Sequence, residues 1–250
     1  MTRIGILGIS GRMGRLLAEE VTAAGAALAG GTAHRGGQWP SDPQALARVS
    51  DALIDFTTAA AVEPHLRAAL AARKPLILGT TGLTPAQEAA LAEAGREIPV
   101  VYAANFSPGV NLILAVAERL AASLPAESYD AEIVETHHRQ KIDAPSGTAV
   151  ALGRAVAAGR GTTLEEAGIE SGRDGHTGPR KTGAIGFAAL RAGQVVGEHT
   201  LLFASGSEHI ALTHRSFDRR VYATGAVRAA LWAVKQSPGL YGMRHVLGMA

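Results

Sequence analysis

The sequence predicts an α/β protein, a doubly wound parallel sheet joined to an α+β region with a mainly antiparallel sheet, and two patterns carry the prediction. Over the first hundred residues, short apolar runs alternate with amphipathic stretches, as in repeated strand and helix units. After Asn105 that rhythm stops, and short segments separated by polar, glycine-rich turns take over. At 250 residues the chain exceeds the usual single-domain size of about 100 to 200, so two modest domains are expected.

Taken in order, residues 4–7, 28–32, 52–56, 76–78 and 100–102 read as buried strands. Between them Val62, Leu66 and Leu70 recur at helical spacing, and Thr84 followed by Pro85, Gln87 and Glu88 marks a helix start. Val110, Ile113, Ala117 and Leu120 predict a helix, residues 131–135 a strand, Ser146 the start of another helix, and residues 159–183 a glycine-rich polar loop. Residues 184–215 hold three strand-like segments, with Ala192-Gly193 expected to form a hairpin turn and Ile210 and Leu212 alternating with polar neighbours. A last helix, about 219–235, is expected to pack back on the first region.

Composition narrows the function. Hydrophobic residues make up 47% and charged residues 18%, the profile of an ordered globular chain. No stretch approaches the roughly 20 apolar residues of a membrane span, and the start lacks the layout of a signal peptide, so a soluble, unprocessed, cytoplasmic protein is expected. Absence of cysteine excludes disulfides, thiolate catalysis and Cys-based metal sites. The net charge of +2 comes from scattered residues, so neither nucleic acid nor membrane is an expected partner. Of the 24 basic residues only Lys74, Lys141, Lys181 and Lys235 are lysine, so the chain usually places arginine where it uses positive charge.

The strand at 4–7 runs into Gly8-Ile9-Ser10-Gly11-Arg12-Met13-Gly14 and then a helix with Leu16, Leu17 and Val21 inward. Glycines there permit a tight turn and a close approach of backbone N–H groups to a pyrophosphate at the positive end of the helix. An ordinary strand-to-helix turn would also use glycine. The place of this one, after the first strand of an alternating pattern, favours a Rossmann-like dinucleotide site contacted by Gly8, Ile9, Ser10, Gly11, Arg12 and Met13. An acid that would bind the adenosine ribose is expected about 20 residues on, but Ala33-His34-Arg35 stands there. Arg35 beside His34 suits a 2′-phosphate, which favours NADPH with NADH as the alternative cofactor; a solvated loop charge is the other reading of Arg35. Gly79, Thr80 and Thr81 after the fourth strand, and Ala103, Ala104, Asn105 and Phe106 after the fifth, lie at strand ends where a nicotinamide would bind. Taken singly, either segment could serve only to cap a helix.

The segment from Glu135 to Ala149 gathers His137, His138, Lys141, Asp143 and a helix start at Ser146 into fifteen residues. Ser146 is a good N-cap, and the backbone of Ser146, Gly147 and Thr148 offers donors and a favourable dipole to a substrate carboxylate. Each feature has a plain alternative: surface histidines, a solvated lysine, an aspartate in a turn. Together, in a chain that prefers arginine, a lysine here points to a proton that must leave it. A two-histidine metal site is disfavoured, because sequence neighbours project in different directions and no third ligand is spaced for it, so no metal is expected.

The string HHRQKIDAPSGTA resembles the signature of dihydrodipicolinate reductases, and GISGRMG, GTTG, AANFSPGVN, GHTG, IGFAALRAG and VGEHTLLF match that family in the same order. The resemblance covers nearly the whole chain. It implies a dinucleotide-binding domain of residues 1–106 and 218–250, a substrate-binding and oligomerisation domain of residues 107–217, and a homotetramer joined through the substrate-domain sheets. It further implies NAD(P)H-dependent reduction of 4-hydroxy-tetrahydrodipicolinate, a small cyclic dicarboxylate, to tetrahydrodipicolinate in diaminopimelate and lysine biosynthesis. By position, His137 matches a proton donor/acceptor, Lys141 the proton donor, His138 a substrate ligand, and Gly147 and Thr148 the residues on a substrate carboxylate. His34 departs from the pattern, since many relatives carry an acid there. Two rivals stand beside this reading: another amino-acid-pathway dehydrogenase with a similar nucleotide domain, and a non-catalytic NADPH sensor.

Overall fold

The computed structural model describes residues 1–33, 39 and 41–249; His34 and Arg35, to which the sequence reading assigns cofactor preference, lie outside the described residues. The chain divides into two compact units, Met1–Pro108 with Arg219–Ala250, and Gly109–Asp218.

The first unit contains β1 (Arg3–Leu7), α1 (Arg12–Ala23), β2 (Ala27–Thr32), α2 (Pro43–Val49), β3 (Ala52–Asp55), α3 (Val62–Ala72), β4 (Leu76–Leu78), α4 (Pro85–Ala94) and β5 (Pro99–Tyr102). The chain then leaves for α5 (Pro108–Ala121), β6 (Asp130–His137), α6 (Gly147–Gly159), α7 (Leu164–Ala167), β7 (Ile169–Ser171), β8 (Ile185–Arg191), β9 (Gly197–Ala204) and β10 (His209–Ser216) of the second unit. It returns with α8 (Arg220–Ala233), β11 (Gly239–Tyr241) and α9 (Met243–Val246).

The first sheet has the order β11-β5-β4-β3-β1-β2 with every ladder parallel. Its strands are apolar on both faces, as a parallel sheet covered by helices on both sides requires. Ile54, Ile77 and Val101 point to the layer of α1 and α8, while Leu53, Leu76, Leu78 and Val100 point to the layer of α2, α3 and α4. Buried Ala223, Ala226, Ala230 and Ala233 give α8 a small-residue face toward the first layer. Thr84 begins α4 with a reciprocal cap: its hydroxyl accepts from Gln87 N at 3.3 Å, and Gln87 Oε1 accepts from Thr84 N at 2.9 Å. The chain steps from β1 outward to β2 and then crosses to β3 on the other side. The switch point of the topology therefore lies between β1 and β3, where the glycine turn begins.

The second sheet has the order β10-β9-β6-β8-β7 and is mixed, with β10-β9 and β9-β6 antiparallel and β6-β8 and β8-β7 parallel. One prediction is corrected here. The turn at Ala192-Gly193 does not close a hairpin, because β6 lies between β8 and β9. The loop expected over residues 159–183 is also partly ordered: Thr163 caps α7 with Glu166, and Arg173 and Arg180 both bind Glu132 on the sheet, at 2.9 and 2.8 Å. One face of the sheet buries Ala131, Ile133, Ile185, Phe187, Leu201 and Phe203 against α5 and α6. On the other, the register brings Val134 beside Ala188 and Thr200. Among the described residues, no helix is long and apolar enough to cross a membrane.

Candidate active site

In the first unit β1 ends at Gly8, whose φ of 78° is open to glycine and strained for other residues. The turn is held by Ile9 N donating to Thr32 O at 2.9 Å and Gly11 N donating to Gly8 O at 3.0 Å, and α1 begins at the next residue. Gly14 packs the first turn of α1 directly on this loop: a Cβ there would strike the Gly8 carbonyl oxygen and stand 2.6 Å from Ile9 Cα. Ser10, Gly11 and Arg12 are exposed, and Met13 is half-buried. The Ile9 side chain is core, leaving only its backbone to face a ligand.

The other two predicted segments also end parallel strands. Gly79 N donates to Asp55 O at 2.8 Å, and the residue lies against the Phe56 ring. Thr80 is 3% exposed, and its hydroxyl has no hydrogen-bond partner among the described residues, whereas Thr81 is exposed. Ala103 is half-buried and Ala104 exposed, and Asn105 Oδ1 accepts from Ser107 N at 2.8 Å. Phe106 is 1% exposed and packs against Phe56 with the rings tilted and their centroids 5.3 Å apart, so its ring belongs to the core and only its backbone is left for a cofactor. A glycine cradle that a Cβ would fill, and a buried hydroxyl that lacks a partner, fit a dinucleotide.

Between these loops stands a turn that the sequence reading passed over. Asp55 is fully buried at the end of β3 and accepts from Thr57 N at 2.8 Å and Thr57 Oγ1 at 2.6 Å, while His65 Nδ1 of α3 lies 2.7 Å from its other oxygen. The Thr57 methyl in turn abuts Gly8.

In the second unit, β6 alternates so that Ala131, Ile133, Glu135 and His137 are buried. Glu135, 1% exposed, is the centre of a network. It accepts from His137 Nδ1, from Arg191 Nη1 and Nη2 at 3.0 Å each, and from Ser146 N at 3.2 Å. Burial works against its ionised form, but the bonds from Arg191 and His137 outweigh this and hold its carboxyl below the usual range. Ser146 caps α6 by accepting from Ala149 N at 3.2 Å, and its hydroxyl lies 2.9 Å from His199 Nε2. Burial, reinforced by nearby His137, pushes the His199 imidazole down to about 4, and the two rings meet edge to face at 5.0 Å.

Lys141 Nζ binds both oxygens of Asp143 at 2.8 Å, and this pairing holds the Asp143 carboxyl below its ordinary value. Arg191 Nη2 donates to the Asp143 carbonyl at 2.6 Å, tying the loop back to β8. Gly147 is exposed and Thr148 half-buried on the first turn of α6. The start of such a helix is a place where an anion such as a carboxylate can bind. His138 is half-buried, with Nδ1 enclosed and unpartnered among the described residues. Among those residues, no three His, Asp or Glu side chains are grouped for a metal ion.

His137, Lys141 and Ser146 are thus joined through Glu135, Arg191 and Asp143, of which the sequence reading gave no role to Glu135 or Arg191, nor to His199. Glu135 could have been found, because residues two apart on a strand share a face. Arg191 and His199 depend on sheet register, which places Arg191 opposite His137 and His199 opposite Glu135.

A doubly wound sheet with a glycine turn at its switch point, and a second unit bearing a His, Lys and helix-start cluster, define an NAD(P)H-dependent oxidoreductase. Residues 2–106 match the profile of the dihydrodipicolinate reductase N-terminus, and residues 109–247 that of the C-terminus. The chain is 62% identical over 255 residues to the 4-hydroxy-tetrahydrodipicolinate reductase of Granulibacter bethesdensis, covering 99% of this chain and 97% of that one. It is likewise 62% identical over 247 residues to the enzyme of that name from Acidiphilium cryptum, covering 99% and 98%. A dipicolinate-bound dihydrodipicolinate reductase from Paenisporosarcina sp. TG-14 superposes with a TM-score of 0.81 at 25% identity, over 98% of this chain and 99% of that one. The chain belongs to the dihydrodipicolinate reductase family.

Proposed function

We propose that the chain reduces 4-hydroxy-tetrahydrodipicolinate to tetrahydrodipicolinate with loss of water, with NADPH preferred over NADH and Lys141 as general acid. The observation that carries the reading is the second-unit cluster, in which a buried carboxylate links His137 to the capped start of α6 and Lys141 stands on the connecting loop. The first turn of α6, with Ser146, Gly147 and Thr148, would hold one substrate carboxylate, and His138 would make a further polar contact.

When bound, NADPH supplies the hydride that the conjugated ring carbon of the dehydrated substrate accepts. Gly8 to Met13, with Gly79 to Thr81 and Ala103 to Phe106, would hold that cofactor on the first unit. The negative charge that moves to the neighbouring ring carbon is met by Lys141, which donates a proton there, with His137 assisting as donor/acceptor. Asp143 keeps the ammonium directed until a substrate carboxylate competes for it. The cofactor preference rests on sequence: no acid occupies residues 33–35, and Arg35 would meet the 2′-phosphate. In this reading the enzyme is cytoplasmic and a homotetramer, its copies meeting through the open face of the second sheet.

The test is a coupled assay with freshly generated substrate, run with each cofactor. The wild type should consume NADPH faster than NADH. Lys141→Ala should lower kcat by about 10² to 10⁴, the usual worth of a positioned general acid, with NADPH affinity unchanged. Wild-type turnover in that variant would remove Lys141 from the mechanism.

A further inference from the structure

We infer that Glu135 is a positioning residue that sets His137 and the amino end of α6 in register with each other, with Arg191 as the clamp that fixes its carboxylate. The inference rests on the reading of His137 and the α6 turn as substrate contacts, and it concerns what holds them in place.

A buried carboxylate needs a counter-charge, and the Arg191 fork, with 3.0 Å bonds to both oxygens, already supplies it. The two further donors are what the counter-charge does not explain. Oε2 also takes His137 Nδ1, and Oε1 also takes Ser146 N at 3.2 Å, so one rigid group grips the proposed proton donor/acceptor His137 and the proposed carboxylate cradle through opposite oxygens. His137 is on the same strand, Arg191 comes from β8, and Ser146 opens α6.

Two consequences bear on chemistry. Because Nδ1 faces Glu135, neutral His137 carries its proton there, and Nε2 is the nitrogen left for substrate. That nitrogen borders Gly197, where a Cβ would stand 3.0 Å from Nε2, so glycine keeps its approach uncovered. The bond to Ser146 N, meanwhile, fixes the residue that opens α6, and with it the turn of Gly147 and Thr148 proposed as the carboxylate cradle. All four groups on Glu135 are donors, so a glutamine in its place must oppose a donor with a donor in either amide orientation.

The test compares E135Q and R191K with the wild type by kcat, KM, calorimetric binding of pyridine-2,6-dicarboxylate, NADPH affinity, and the ¹⁵N spectrum of the His137 imidazole. E135Q should lower kcat roughly 10- to 100-fold, as small misplacements of reacting groups do. It should also weaken dicarboxylate binding about ten-fold and abolish the single Nδ1–H tautomer, leaving NADPH affinity as it was. R191K, altered at a side chain 21% exposed and retaining the charge, should show the same pattern more weakly and carries the test alone if E135Q does not fold. If either variant lowers only thermal stability while kcat, KM, dicarboxylate binding and the imidazole spectrum stay wild-type, Glu135 is structural and the inference is overturned. Thr148→Val and His137→Ala separate the layers. If they too leave turnover and dicarboxylate binding intact, the site reading itself is wrong, and if they impair both while E135Q and R191K do not, only the positioning role is lost.

Discussion

His199 shows how a residue with no motif of its own acquires a distinctive chemistry. Its identity gives nothing away in VGEHTLLF; the burial of β9, and then the nearby His137, drive its pKa from 6.5 to about 4 against the opposing pull of Glu135, which the register sets opposite it. His137, Glu135, His214 and Lys141 are the charged or titratable groups that act on it. The unfolded imidazole binds a proton near 6.5 and the native one only near 4, so the neutral native form contributes its full stability above 6.5 and loses it as pH falls toward 4. A shift of this size should remove about 2 kcal/mol of unfolding free energy between pH 7 and pH 5. Urea unfolding of His199→Gln should therefore show a shallower decline over that interval than the wild type. Parallel pH slopes would show that His199 titrates alike in both states.

At the scale of elements, legibility followed length and periodicity. The helix start at Thr84-Pro85 and the strand Leu76–Leu78 could be read because a cap and an apolar run are local signals. The equally short β7 and β11 could not, since Ile-Glu-Ser and Gly-Leu-Tyr are not apolar runs and three residues hold no period, and they exist because β8 and β5 offer them a ladder. The expected hairpin failed for a different reason: chain order and sheet order differ, and β6 is inserted between β8 and β9. The glycine turn is the element on which the nucleotide reading depends, and Gly14 is where its geometry is least forgiving. Gly14→Ala places a methyl on the Gly8 carbonyl and should lift α1 off the turn, an overpacking of about 1 to 3 kcal/mol. NADPH binding followed by nicotinamide fluorescence should weaken by up to the same free energy, about 5- to 150-fold. Pyridine-2,6-dicarboxylate binding without cofactor, which the proposed site assigns to the second unit, should not change. Undiminished NADPH affinity would detach this turn from the cofactor.

For the molecule as a whole, the open face of the second sheet calls for a covering. Val134, Ala188 and Leu190 lie beside Thr200, Leu202, Ala211 and Thr213 on that face, with Leu190 54% and Val134 38% exposed. The row of Ala188, Val134, Thr200 and Thr213 carries no charge, and the rows on either side of it carry ion pairs, Glu198 with Arg215 and Glu132 with Arg173 and Arg180. An apolar centre with a charged rim is the anatomy of a protein contact. The assembly proposed above would set a second copy of the same chain on this face, since symmetric pairing of identical faces buries both at once. For the proposed homotetramer, light scattering of the wild type should give a mass near four times 25.7 kDa. Val134→Arg puts a charge into the middle of the face, between Ala188 and Thr200, where it would be buried at the contact, and should yield smaller species with an unchanged circular dichroism spectrum. A wild type that stays at 25.7 kDa at high concentration, or a variant that remains tetrameric, would remove this face from the assembly.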